Sequence, residues 1–109
     1  MKATRALPAL PLAVKIGLQK LGRDLSDARK RRRQTMALVA ERALISVGTL
    51  RRVERGDPSV SMGIYATVLF VLGLSDRLGS LADSRDDAVG RALDEERLPQ
   101  RVRTPKAAR

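Results

Sequence analysis

The stretch from Ile45 to Pro58, ISVGTLRRVERGDP, concentrates side chains that can bind a negatively charged partner. Three of its residues are arginines, and a guanidinium group can hold a phosphate or grip O6 and N7 of guanine with two hydrogen bonds. The residues that follow its expected helix cap, Val47 and Gly48, carry no hydrogen-bonding side chain. The segment therefore has few side chains that could recognise a partner through specific hydrogen bonds, and most of these side chains are arginines.

A second basic segment, ARKRRRQ, contains five consecutive cations and lies upstream of the first. Cations are favourable at the C-terminus of a helix, so this run could serve only as a charge cap. Its density leaves contact with phosphates equally open. The RRVER run could likewise be a solvated helix face, and Glu54 within it is expected to pair with a nearby arginine rather than to read a base.

The apolar spacing around these segments predicts helices that would position them. Residues 11–32 form a long helix whose stripe comprises Val14, Leu18, Leu21, Leu25 and Ala28. Thr35 is expected to cap the helix MALVAERA, and Ser46 to cap the next one. Gly56-Asp57-Pro58 ends that third helix.

Three further helices are predicted downstream. Ser61 caps MGIYATVLFVL, which is apolar nearly all round and is therefore core or covered by a partner. Ser75 caps DRLGSLA, while Ser84 with Asp87 opens a last helix that Pro99 stops. The expected organisation is a flexible arm at 1–10, a helical domain at 11–82, and an acidic helix with a basic tail at 83–109.

Composition and charge narrow the possible functions. The chain has 109 residues, no Cys, no His and 2% aromatic residues, which favours a small aliphatic helical domain without metal or cofactor. An enzyme is not expected, because without His or Cys a catalytic site would need a carboxylate pair or a lysine in a formed pocket, and 109 residues of small helices leave little space for one. Residues 1–56 hold 14 Lys/Arg against 4 Asp/Glu, whereas residues 57–97 hold 4 against 8. A basic front half implies a polyanion partner, most simply nucleic acid.

Two short helices joined by a tight turn, within an all-α unit of five to six helices with a basic face, form the helix–turn–helix pattern. The segment at about 20–82 resembles the lambda-repressor-like (XRE) helix–turn–helix family through AERA, S-x-G-T-L and V-E-R-G. DPSVSMGIYATVLFVLGL, DRLGSLAD and EERLPQRVR further resemble antitoxins of the HipB type, which are encoded beside HipA-type serine/threonine kinase toxins.

In the family that the chain resembles, the third helix lies in the DNA major groove. The resemblance implies that five residues face bases: Val47, Gly48, Thr49, Arg51 and Arg52. It implies that six others meet phosphates: Arg33, Gln34, Thr35, Met36, Ser46 and Arg55. Steps of about 100° along a helix independently place Leu50 and Val53 on the inner face and the three arginines with Gly48 on the outer face.

Two residues depart from the family pattern. Met36 stands where a polar residue is usual, so one phosphate hydrogen bond is expected to be missing. Leu44 stands where the turn usually has Gly, and a left-handed conformation there would cost a leucine about 1 kcal/mol. The turn is therefore expected to be built slightly differently.

The leading hypothesis is a repressor that binds double-stranded DNA as a homodimer on an inverted repeat. As an antitoxin it would also neutralise a HipA-type kinase toxin, with 83–96 and 98–109 as the candidate contacts. No apolar run reaches the roughly 18 residues of a membrane span, so the expected location is cytoplasmic, at the nucleoid when bound to DNA. The alternatives are a stand-alone regulator, a protein-interaction adaptor, and a peripheral membrane peptide anchored by LPALPLAVKIGLQKLG.

Overall fold

The computed structural model describes residues 9–102, with side chains for residues 9–97, and this part of the chain is all helical. The α-helices are α1 Leu12–Arg31, α2 Met36–Ala43, α3 Val47–Glu54, α4 Met62–Val71 and α5 Ala88–Val102, with 3₁₀ helices at Ser75–Ser80 and Ser84–Asp86. The predicted all-α fold with a helix–turn–helix is confirmed. The expected arm at 1–10 and basic tail at 98–109 lie largely outside the described residues.

The chain divides into two compact units, one ending at Leu78 and the other beginning at Gly79. The boundary expected from the sequence follows residue 82 instead. The first unit contains α1 to α4, and therefore both helices of the helix–turn–helix. The candidate site lies in this unit alone.

An aliphatic core holds the first unit together. Its largest fully buried side chains come from all four α-helices: Leu25, Leu50, Val39, Val53 and Val68. Burying one such side chain contributes about 1.5–3 kcal/mol. The stripe predicted for α1 is buried at Leu25 and Ala28, whereas Val14 stays 43% exposed, so the helix begins before the core does.

Side-chain caps begin α2, α3 and α4 as the sequence predicts. Thr35 accepts a hydrogen bond from the amide of Leu38 at 3.1 Å, and Ser61 accepts one from Ile64 at 3.2 Å. Ser46 does the same for Thr49 at 3.0 Å. Each cap satisfies an amide that has no intrahelical acceptor and contributes about 1 kcal/mol.

Two glycines allow α1 to touch the end of α3. A Cβ atom on Gly22 would lie 2.6 Å from the carbonyl oxygen of Glu54 and from the amide nitrogen of Gly56. A Cβ atom on Gly56, whose φ is 73°, would collide with the carbonyl group of Leu18. The two backbones therefore approach more closely than any side chain permits, which explains a glycine within the long helix.

The turn between α2 and α3 corrects one expectation. Leu44 adopts the left-handed conformation, with φ 60° and ψ 39°, so the turn is built as a glycine would build it. The amide of Ile45 donates to the carbonyl of Ala40 at 3.0 Å, which closes the end of α2. The leucine side chain is 91% exposed and thus recovers little of the conformational cost by packing.

Substituting Leu44→Gly is expected to raise the free energy of unfolding by about 0.5–1 kcal/mol, because glycine adopts positive φ without steric cost. Urea unfolding would measure the gain as a higher midpoint at an unchanged m-value. Arg42→Gly, at an exposed right-handed position of α2, is the matched control and should lower stability by about 1 kcal/mol. A loss of stability in both variants would contradict the role assigned to the turn.

The second unit begins its helices at residues other than those predicted. Asp83 caps the 3₁₀ helix, since its Oδ1 accepts from the amide of Arg85 at 2.8 Å. Asp87 caps α5 by accepting from the amide of Gly90 at 2.9 Å. Ser84 therefore does not open the last helix, because the two aspartates take the capping positions.

The prediction that Pro99 stops the last helix is wrong. The backbone of α5 continues to Val102. A proline lacks the amide hydrogen and removes one hydrogen bond in the helix interior, but its fixed φ of about −65° is itself helical.

No helix within residues 9–102 combines the length and the apolar character needed to cross a membrane.

Candidate nucleic-acid interface

Helix α3 has an inner face fixed in the core and an outer face open to solvent. Leu50 and Val53 are fully buried and define the inner face. Gly48 and Arg51 are exposed on the other side, in agreement with the helical projection. The capping bond at Ser46 fixes the start of the helix, so the outer face is held in one orientation.

The base-facing residues predicted in the first turn differ in exposure. A Cβ atom added to Gly48 would meet only the hydroxyl oxygen of Ser46, at 3.7 Å, so the backbone is open to close approach. Val47 is half-buried and packs against the core. Thr49 is half-buried as well, and its hydroxyl accepts a hydrogen bond from Ser46 at 3.0 Å. The threonine hydroxyl is thus engaged within the first turn of the helix.

The two neighbouring arginines of α3 are in different situations. Arg51 is exposed and makes no hydrogen bond or ion pair with the described residues. Arg52 is 42% exposed and donates from Nε to Asp57 Oδ2 at 3.0 Å. It also donates from Nη2 to the hydroxyl of Ser59 at 2.8 Å. The sequence assigned both arginines to bases, but only Arg51 has all of its donors free.

The loop after α3 is organised around Asp57. Its Oδ1 accepts from the amide of Ser59 at 2.8 Å and from the hydroxyl of Ser59 at 2.7 Å. These two hydrogen bonds, with a smaller contribution from Arg52, lower the pKa of Asp57 to about 2. The carboxylate is therefore ionised at neutral pH. Tyr65 donates its hydroxyl to the backbone carbonyl of Asp57 at 2.8 Å, and burial raises the pKa of this tyrosine to about 12.

A bidentate ion pair ties α1 to the end of α3. Arg29 donates from Nε to Glu54 Oε2 at 2.7 Å and from Nη2 to Oε1 at 3.1 Å. The side chains are only 11% and 12% exposed, and the hydrogen bond to Glu54 raises the pKa of Arg29. Nη1 of Arg29 also donates to the carbonyl oxygen of Gln34 at 3.1 Å. The expectation that Glu54 pairs with an arginine is confirmed, and the partner is the first cation of ARKRRR.

The remaining cations of that run divide between structure and surface. Arg32 donates from Nη1 to the carbonyl oxygen of Ala28 at 2.8 Å and thereby caps α1. Lys30, Arg31 and Arg33 are exposed. Two arginines of the run therefore stabilise the domain, and three of its cations face solvent.

The predicted phosphate contacts separate by burial. Four of them have exposed side chains: Arg33, Thr35, Ser46 and Arg55. Met36 is half-buried and packs against the core, so its thioether does not replace the missing polar group. Gln34 is half-buried too, and its Oε1 is the one buried side-chain oxygen among the described residues without a hydrogen-bond partner.

Sequence reasoning missed the residues that hold the outer face in place. The sequence pattern assigns Asp57 only to the end of the third helix and gives Ser59 no role, although an aspartate that accepts from the amide two residues on is a common local turn. Arg29 was grouped with its neighbours because no local pattern links it to Glu54, 25 positions away.

Comparison of the chain with protein-family models, with curated proteins and with solved structures gave no match.

Proposed function

We propose that this chain is a sequence-specific, double-stranded DNA-binding transcriptional repressor and not an enzyme. The outer face of α3 is the observation that carries the proposal. Gly48 leaves the backbone open, and Arg51 has an exposed guanidinium without a hydrogen-bond or ion-pair partner among the residues that the structure describes. Because Leu50 and Val53 anchor the opposite face, the helix can enter a major groove without losing core contacts.

The surroundings of α3 favour a phosphate backbone on either side of it. Arg33 and Arg55 are exposed cations, located before α2 and directly after α3. The first amides of any helix lack intrahelical acceptors, and the helix dipole there attracts anions. Thr35 and Ser46 place such helix starts at the surface. Contacts with phosphates would supply most of the affinity for DNA. The exposed outer face of α3 would supply the preference for a particular sequence.

A second copy of the chain is part of the proposal, because one helix reads few base pairs and a two-fold arrangement doubles the recognised site. Helix α4 supports self-association. Met62 and Phe70 are 65% and 69% exposed on it, and none of its residues is charged. A two-fold interface sets identical residues against one another, so an uncharged face avoids like-charge repulsion.

More narrowly, we propose an antitoxin that represses its own operon in the cytoplasm and binds a HipA-type kinase toxin. The support is the resemblance of the sequence from DPSVSMGIYATVLFVLGL onward. In the second unit, Leu81 and Val89 are 70% and 73% exposed among carboxylates, as expected of a segment that binds a partner. A stable complex with the product of the neighbouring gene would support this part of the proposal.

The decisive measurement is the salt dependence of duplex binding. We expect log K, measured by fluorescence anisotropy with DNA from upstream of the chain's own gene, to fall linearly with log salt. The slope should be about 0.9 per phosphate neutralised. Arg33→Ala and Arg55→Ala should each reduce that slope by about 1 without changing the preferred sequence.

Arg91→Ala is the charge-matched control, because Arg91 is also exposed but lies in the acidic segment 83–96, outside the first unit. It should leave the slope unchanged. A slope near zero for the wild-type protein, or equal losses in all three variants, would contradict binding through the proposed face. Sedimentation of the same complex should find two chains per operator duplex.

A further inference from the structure

The beginning of α1 carries apolar side chains that its own domain does not cover. Leu12 and Ile16 are 70% and 52% exposed. Steps of about 100° along the helix place both of them nearly opposite Leu21 and Leu25, which lie in the core or pack against it. The core of the first unit is therefore on the other side of the helix, and covering Leu12 and Ile16 requires another surface.

This part of α1 also lacks the local features that usually stabilise a helix start. The N-cap residue is Pro11, which makes no side-chain capping bond, and the first turn contains no acidic residue. The first amides of an uncapped helix have no acceptor, and the helix dipole leaves partial positive charge beside them. A neighbouring group with negative charge would therefore stabilise the beginning of α1.

The charges around the apolar pair have one sign. Residues 11–23 contain three cations and no carboxylate. Lys20 pairs with Asp24 at 2.6 Å. Lys15 and Arg23 are exposed and make no hydrogen bond or ion pair within the part of the chain whose side chains the structure describes. Two copies of this surface would repel each other, so it fits an apolar surface that carries carboxylates.

Helix α5 presents a surface of that kind. Val89 and Leu93 lie four residues apart on one face and are 73% and 49% exposed. Glu96 is exposed three residues after Leu93, beside the same face. Residues 86–96 contain five carboxylates and one arginine. Two copies of this surface would also repel each other, whereas α5 of one chain and α1 of another bring opposite charges together around two aliphatic pairs.

We propose that the beginning of α1 is a docking surface for helix α5 of a second copy of this chain. The contact sets the two aliphatic pairs against each other, with the carboxylates of α5 near Lys15, Arg23 and the uncapped start of α1. It goes beyond the proposed function, because it is a contact between proteins that requires no DNA. Val89 also belongs to the surface proposed above for the toxin, so the two partners exclude each other.

The chain contains no cysteine, so introduced cysteines can report this contact directly. Full-length Ile16→Cys and Leu93→Cys, of which one carries a mass tag, are mixed in equal amounts and oxidised with glutathione disulfide. The mixed disulfide should form at least about 10-fold faster than either disulfide between identical variants, because docking raises the effective concentration of the two thiols. Leu44→Cys, at an exposed leucine of the first unit, is the control and should form no preferred disulfide with either variant.

Charge reversal tests the complementarity of the two surfaces. Lys15→Glu with Arg23→Glu, added to the α1 cysteine variant, should slow the mixed disulfide at least about 10-fold relative to the disulfides between identical variants. Glu95→Lys with Glu96→Lys in the α5 cysteine variant should restore the original ratio. Because a misfolded chain would not be rescued by changes in its partner, this restoration reports on the contact itself.

Equal rates for the mixed and identical disulfides would overturn the proposal. Faster disulfide formation between two copies of the α1 variant would show that this surface binds its own kind, and would overturn the choice of α5. A charge reversal that the opposite reversal does not restore would overturn the complementarity. Leu12→Cys and Val89→Cys replace any cysteine variant that circular dichroism shows to be unfolded. All of these rates are measured without DNA, so duplex binding by the wild-type protein tests the proposed function separately.

Discussion

Gly48→Asp is expected to weaken duplex binding by at least about 100-fold while leaving the domain as stable as the wild type. The position can accept a side chain, because a Cβ atom there meets only Ser46 Oγ at 3.7 Å. Glycine within a helix is about 0.5–1 kcal/mol less favourable than alanine, and a carboxylate in the first turn complements the helix dipole. In the groove, however, that carboxylate would face phosphates and the acceptor atoms of guanine, and like-charge contacts cost several kcal/mol.

Two control variants separate charge from size. Gly48→Asn has nearly the same volume without the charge, and Gly48→Ala tests the helix propensity alone. We expect both to unfold at or above the wild-type temperature and to lose far less affinity than the aspartate variant. Wild-type affinity in Gly48→Asp, measured by anisotropy on the same duplex, would mean that the outer face of α3 does not face DNA.

Glu54→Ala is expected to lower the free energy of unfolding by about 3 kcal/mol. The substitution leaves the guanidinium of Arg29 without its bidentate partner at a site where both side chains are almost buried. Removing one member of a buried pair typically costs about 3–5 kcal/mol, because the remaining charge stays desolvated. For a domain of this size the loss corresponds to a decrease in Tm of roughly 15 °C, measurable by thermal or urea unfolding.

Replacing both members of the pair tests the explanation. Arg29→Met with Glu54→Leu removes the two charges together, and apolar replacements of a buried pair are often neutral or stabilising. We expect this double variant to be more stable than Glu54→Ala, although it also loses the bond from Arg29 to the carbonyl oxygen of Gln34 at 3.1 Å. A Glu54→Ala variant within about 0.5 kcal/mol of the wild type would show that the pair is solvated in solution.

Local patterns predicted the features whose causes are local. Thr35, Ser46 and Ser61 cap the helices that their neighbours suggested, since a cap is a contact over three residues. The inner face of α3 was also predicted from the sequence, because the spacing of Leu50 and Val53 matches the period of a helix. Leu44 shows where propensity failed: the closing bonds of the turn outweighed a conformational cost of about 1 kcal/mol.

Contacts between distant residues could not be read in the same way. No sequence pattern connects Arg29 with Glu54. The sequence also does not decide whether the side chain of Arg52 pairs with Asp57 or extends outward from the helix. The distinction between Arg51 and Arg52 depends on where the loop after α3 places one carboxylate. Adjacent residues of the same type thus acquired different environments from tertiary structure alone.

The contact between Gly22 and Gly56 sets how freely the outer face of α3 can change during evolution. The backbone atoms at these two glycines and the buried Arg29–Glu54 pair, all outside the outer face of α3, fix the approach of α1 to the end of α3. The direction of the helix is therefore inherited independently of the residues that it presents to a ligand. Gly48 and Arg51 contribute nothing to the core, so substitutions there could redirect a descendant protein to another target while its architecture stays the same.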